Sequence, residues 1–212
     1  MTDSSRKKKI NIAGIVFTII VTLGFTWAIY QLLVLPGEKV ILSGQEMRRN
    51  EVAAYRNLKM IAAAQEHYFQ KDWDGDGKKN YAVFYVHLWR SVTPQGEPIR
   101  VKLIPKKLAF AMDISSPLEG YYFVDLRRRR IDLRNRKEFD YKKDWGVAAL
   151  PGIFRSTGVL TFIVDQSRDI FVTARMHSEP EYPGDPVKSG WTKIASVKEL
   201  KEFQETVNYP VK

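Results

Sequence analysis

Between Ile10 and Leu35 the chain carries no charged residue, and only Asn11 and Gln31 interrupt the run as strongly polar side chains. A helix of about 20 apolar residues crosses the hydrocarbon core of a bilayer, so this stretch is long enough to span one with some tilt. A secretory signal peptide has a shorter apolar core that ends at small residues. This run instead ends "YQLLVLPGEKV", with large aliphatic side chains where a cleavage site would need small ones. Four consecutive cations, Arg6, Lys7, Lys8 and Lys9, stand before the run, and one Glu and one Lys follow it. That asymmetry predicts a cytoplasmic N-terminus. The sequence therefore predicts a basic cytoplasmic leader over 1–9, a transmembrane signal anchor over 10–35, and an extracytoplasmic (periplasmic) α+β domain over 36–212. Membrane lipid is the first partner this implies.

The part beyond the anchor has the composition of a folded domain. Across its 212 residues the chain is 44% hydrophobic and 27% charged, enough to fill a core and keep it soluble. A net charge of +10 suits anionic surfaces. The predicted compartment holds no nucleic acid, which leaves lipid headgroups and acidic protein surfaces. There is no cysteine, which excludes disulfides, thiolate metal sites and cysteine nucleophiles. The three histidines, at 67, 87 and 177, do not suggest a multi-histidine metal site.

Pro36 and Gly37 break the anchor. A new helix then starts at "SGQE", where Ser43 can cap and Glu46 completes a capping box. Over the residues that follow, Ala54, Leu58, Ile61, Ala62, Gln65, Tyr68 and Phe69 share one face, and Arg49, Arg56, Lys59 and Glu66 the other. The helix is expected to end near Lys71. After residue 80 the pattern turns to β. "YAVFYVHLW", "IRVKLI", "KLAFAMD", "GYYFVDLR", "TGVLTFIVD" and "DIFVTAR" are strand-like, and "VDQSRDI" reads as a tight hairpin turn. "SVKELKEFQETV" has the spacing of a short amphipathic helix, with Val197, Leu200 and Phe203 inward. The expected fold is a long amphipathic helix that buries one face of a mostly antiparallel sheet.

Two stretches invite a functional reading. "DWDGDGKKNYA", residues 72–82, matches the first half of a calcium loop: Asp72, Asp74 and Asp76 at alternate positions, then Gly77. Val83 stands where the bidentate acid belongs, so Asn80, carbonyls or a distant carboxylate would have to complete the shell. The plainer reading, and the one placed first, is a solvated Asp/Gly turn ending the helix. Calcium is the only cofactor the sequence admits.

The second stretch, "RRRRIDLRNRKEFDYKK", is the densest charge cluster. Arg127, Arg128, Arg129, Arg130, Arg134 and Arg136 suit phosphate, lipid headgroups or an acidic partner. The interleaved Asp132, Glu138 and Asp140 equally suit a solvated β-edge guarded against strand pairing. No nucleophile elbow, zinc-protease helix or phosphate-binding glycine loop is present, so no catalytic residues and no small-molecule substrate are expected.

"NEVAAYRNLKMIAAAQEHYF" followed by "DWDGDGKKNYA", and later "GYYFVDLR" and "GVAALPGIFRSTGVLTFIVDQSRDIFVTA", resemble the pilin and type II secretion pseudopilin family. The order of charged leader, apolar helix, amphipathic continuation and trailing sheet resembles it too. The resemblance implies a non-enzymatic, membrane-anchored envelope protein that serves as a structural or assembly subunit of a secretion-type complex. Prepilins carry a cleavage glycine followed by Phe, with a glutamate five residues into the mature helix. Here Gly14 is followed by Ile15, Val16, Phe17, Thr18 and Ile19, so peptidase processing and filament assembly are not implied. Two rival readings stay open: an accessory subunit of a respiratory or photosynthetic membrane complex, and a calcium- or anionic-surface-binding module.

Overall fold

The helix predicted after the anchor forms as its capping signal requires. In the computed structural model, which describes residues 42–73, 75–130, 136–176 and 181–210, α1 runs from Gly44 to Gln70. The Glu46 amide donates to the Ser43 hydroxyl at 3.3 Å, and the Ser43 amide donates to the Glu46 carboxylate at 2.8 Å. These reciprocal bonds satisfy two of the donors that a helix start leaves open. The helix ends where expected, with Lys71 as its C-cap. The chain divides into two units, 1–40 and 41–212. The leader 1–9 with Arg6, Lys7, Lys8 and Lys9, the apolar run 10–35, and also Asp74 and Arg134, lie outside the described residues. Among the described residues no helix is long and apolar enough to cross a membrane.

The architecture is α+β. After α1 come a 3-10 turn at Tyr85–Leu88, β1 (Arg90–Val92), β2 (Pro98–Arg100) and the short helix α2 (Lys106–Ala109). The main sheet takes β3 (Tyr121–Asp125), β6 (Gly146–Pro151), β7 (Thr161–Asp165), β8 (Ile170–Thr173) and β10 (Thr192–Ile194). Its order is β10-β8-β7-β6-β3, every pairing antiparallel. A smaller sheet inserted between these strands holds β4 (Arg128–Arg130), β5 (Arg136–Glu138) and β9 (Tyr182–Pro183), the last paired parallel to β4. The helix α3 (Val197–Glu205) closes the chain, with Leu200 buried and Val197 and Phe203 half-buried as expected.

One face of the main sheet meets α1. Met47, Ala54, Leu58, Ile61, Ala62 and Tyr68 pack into the same core as Phe123, Val147, Ala149, Phe162, Val164 and Val172. Fully burying one such side chain contributes about 1.5–3 kcal/mol, so this stripe is what holds the helix to the sheet.

Three expectations are corrected. The sheet does not bury one face only: Ala148, Leu150, Ile163 and Phe171 form a second core with Leu126, Phe139, Tyr182 and Trp191 on the opposite side. That is why β6 is buried at every position and shows no alternation. "YAVFYVHLW" is not a strand but contains the 3-10 turn. The Gln65 carboxamide there bonds both the Ala82 amide (2.9 Å) and the Ala82 carbonyl (3.1 Å), occupying groups that a neighbouring strand would have paired. "KLAFAMD" starts inside α2 (Lys106–Ala109), whose N-cap is Pro105. Proline's fixed φ favours a helix start there over the β-propensity of the residues that follow.

Candidate functional site

The arginine-rich stretch is not the open, guarded edge that its interleaved charges suggested: Arg128–Arg130 is β4, the central strand of the small sheet β5-β4-β9, and that position gives it a structural task. β4 and β5 pair in the register Arg128 to Glu138, Arg129 to Lys137 and Arg130 to Arg136. The hairpin lies over the second face of the main sheet, and it brings Phe139 and, through β9, Tyr182 onto that core.

Arg129 is the pin. One guanidinium nitrogen donates to the Asp165 carboxylate at 2.8 Å and to the Gln166 side-chain Oε1 at 3.2 Å. The guanidinium carbon sits 4.9 Å from the Tyr182 ring centre and 5.5 Å from that of Phe139. Asp165 is buried at the end of β7 and Arg129 is half-buried, so the charge pair joins the two sheets through a partly shielded contact. Arg136 is engaged as well, its Nε 2.5 Å from Glu181. Arg127 lies over the Phe84 ring at 5.9 Å. Arg128 is exposed, and Arg130 stands beside it on the same strand. The six arginines predicted to act as one docking patch are therefore divided. Arg129 is half-buried and holds the two sheets together, whereas Arg127, Arg128 and Arg136 are exposed, Arg136 with Glu181 as its surface partner.

The aspartate loop follows α1 as a turn built on carboxylates. Asp72 accepts from the amides of Gly75 (2.8 Å) and Gly77 (3.0 Å), and Asp76 accepts from the Lys78 amide (2.8 Å). Both glycines have left-handed backbones, φ +74° and +79°. Among the described residues no three His, Cys, Asp or Glu side chains converge as a metal site would require. Asn80 is half-buried, beyond the turn.

Sequence reasoning missed the most heavily bonded carboxylate. Glu51 is fully buried on α1 and accepts from the amides of Val159 (2.9 Å) and Leu160 (3.3 Å), from Gln204 (2.6 Å) and from the Tyr209 hydroxyl. Burial pushes its carboxyl above the ordinary carboxylate value, against the lowering effect of these four donors. Its signal lay in the helix stripe: 47, 51, 54, 58 and 61 follow the spacing of a buried face, and one of them is a glutamate. The arrangement is a latch. It ties α1, the segment entering β7, α3 and the C-terminal segment at one point.

A half-buried acid with a raised pKa lies at the end of β3. Asp125 accepts from the Tyr85 amide at 2.8 Å, and burial raises its pKa to about 7, opposed by that bond and by Arg127. Burial lowers the pKa of His87 in the adjoining turn. Among the described residues, the acids and arginines with the most partners thus join layers of the fold.

These features define an α+β protein in which a long capped helix and an inserted arginine hairpin cover opposite faces of one antiparallel sheet. The chain belongs to the DUF2950 family, proteins of unknown function, whose profile matches residues 4–175. No curated protein and no solved structure matches it.

Proposed function

We propose that the protein is a non-enzymatic, single-pass membrane protein with its N-terminus in the cytoplasm. Its extracytoplasmic, pilin-like domain docks on a larger cell-envelope complex as a structural or assembly subunit. One observation carries this reading: the charge-free run 10–35, preceded by four cations, gives way within a few residues to the capped start of α1 at Ser43. The packing of α1 across an antiparallel sheet supports the pilin-like part. Arg127 and Arg128, which are exposed and make no ion pair among the described residues, supply the docking charge. The test is purification of the tagged full chain from membranes in mild detergent. Stoichiometric recovery with secretion-type components, released by salt and lost in an Arg127→Ala/Arg128→Ala variant, is the expected result. Recovery with respiratory or photosynthetic subunits would transfer the protein to the rival accessory role. A protein that purifies alone and turns over a substrate would end the structural reading.

A calcium-binding role is the second reading, favoured by the way Asp72 gathers the amides of Gly75 and Gly77. A calcium loop of this spacing needs a sharp glycine turn at the position of Gly77.

A further inference from the structure

Several chain ends meet at one end of the described domain. The register sets the start of β3 beside the end of β6 (Tyr121 to Pro151), and the start of β7 beside the end of β8 (Thr161 to Thr173). The start of α1 is bonded there as well: Asn50 donates to the Thr157 carbonyl (2.9 Å), and the Leu42 amide donates to the Ser156 carbonyl (3.1 Å). The end of α3 joins them through Gln204, which donates to the Arg48 carbonyl at 3.1 Å.

The surface at this end is unusually apolar for one facing water. Met176 is 69% exposed, Ile114 63% and Ile153 41%. Ile114 and Met176 rim a groove of 200 Å³ floored by Tyr122, Leu150 and Phe154. Phe154 also lines a second groove, of 390 Å³, together with Arg155, Phe203 and Val207. Arg155 and Arg175 are both exposed beside these side chains. Single exposed aliphatics are ordinary, whereas two on one groove, with Ile153 next in the chain to its lining residues Gly152 and Phe154, form a patch.

Leu42 supplies the reason for what covers the patch. Only residues 36–41 separate it from the charge-free run, and six residues of extended chain reach no more than about 25 Å. If that run is in a bilayer, the lipid surface is held near this end at high effective concentration, which no diffusing protein partner matches. Aliphatic tips beside arginines that can reach phosphate are the chemistry of an interfacial contact.

We propose that this end of the domain seats on an anionic lipid surface. Ile114, Ile153 and Met176 enter the interfacial layer, and Arg155 and Arg175 pair with headgroup phosphates. The proposal rests on the anchored reading above, and the experiment separates the two. Because the chain has no cysteine, single cysteines can be placed by Ile19→Cys, Ile153→Cys, Met176→Cys and Lys78→Cys. Each full-length variant is labelled with an environment-sensitive fluorophore and reconstituted into phosphatidylcholine–phosphatidylglycerol vesicles, with and without brominated acyl chains. Bromine should quench the labels at 19, 153 and 176 and leave that at 78, in the loop beyond the far end of α1, bright. Omitting phosphatidylglycerol should reduce the quenching at 153 and 176 but not at 19. Quenching at 19 alone would overturn the lipid-seated surface and keep the anchor, assigning the patch to a protein partner. No quenching at 19 would overturn both. Equal quenching at 78 would overturn the surface by showing that contact is not confined to this end.

Discussion

The Tyr209 hydroxyl donates to the Glu51 carboxylate across 158 positions of sequence, binding the C-terminal segment to α1. Both groups are buried, so neither has water to replace the other. A donor or acceptor orphaned in such a place costs about 1–3 kcal/mol.

Glu51→Ala leaves the Val159 and Leu160 amides without their acceptor and takes one of two acceptors from the Gln204 side chain. We expect it to destabilise the domain by about 3 kcal/mol. Tyr209→Phe, which removes one of four donors, is expected to cost about 1 kcal/mol. Urea unfolding of the full chain in mild detergent, followed by near-ultraviolet circular dichroism, measures both. A Glu51→Ala variant as stable as the parent would show that the latch carries no load.

The pH dependence follows from Asp125. Its pKa rises from 3.8 to about 7 on folding, so the folded state holds the proton where the unfolded state has released it. Stability is then lost as pH rises from about 4 toward 7 and levels off above. Glu51, also raised by burial, acts in the same direction. His87, lowered by burial, acts oppositely below its ordinary value of 6.5. Comparing the parent with Asp125→Asn isolates the first effect, because asparagine can still accept from the Tyr85 amide. The asparagine variant should gain on the parent by about 2 kcal/mol between pH 5 and 8, read as a shift in denaturation midpoint. A constant difference across that range would mean that Asp125 titrates normally.

The arginine hairpin should respond unevenly. Arg129→Ala removes the cation beside the buried Asp165 carboxylate, which keeps the Ser167 amide and hydroxyl, and uncovers the rings of Phe139 and Tyr182, at an expected cost of about 2 kcal/mol. Arg128→Ala, at an exposed position, should change stability by no more than about 0.5 kcal/mol. Thermal melts of the two variants decide it; equal losses would contradict the division of the arginines.

In the aspartate turn, Gly77→Ala must adopt φ near +79° with a side chain, and about 1 kcal/mol of strain is expected. No atom lies within 4 Å of the added carbon, so the effect is conformational and not steric. Calorimetry with calcium on the parent protein tests the second function: heat at millimolar calcium that disappears in Asp72→Ala supports it, and absence of heat removes it.

Residues near one another in sequence were legible without a structure. Ser43 and Glu46 announce the start of α1, its stripe from Ala54 to Tyr68 names the core face, and "VDQSRDI" turns β7 into β8. Where propensity and context disagreed, context decided: Gln65 took the backbone groups of Ala82, and "YAVFYVHLW" became a turn instead of a strand.

The charged side chains divide along the same line. From the sequence alone came the charge-free run, the capped helix and the antiparallel character of the later segments. Each rests on periodicity or on neighbours within a few residues, where local sterics and hydrogen bonding suffice. Only the tertiary structure distinguished Arg129, pinned to Asp165 across 36 positions, from the exposed Arg128 beside it. Only it placed Glu51 among four donors, all of them more than 100 positions away in the sequence. A charge's role depends on what the folded chain packs around it, and burial by distant segments leaves no mark on the local pattern.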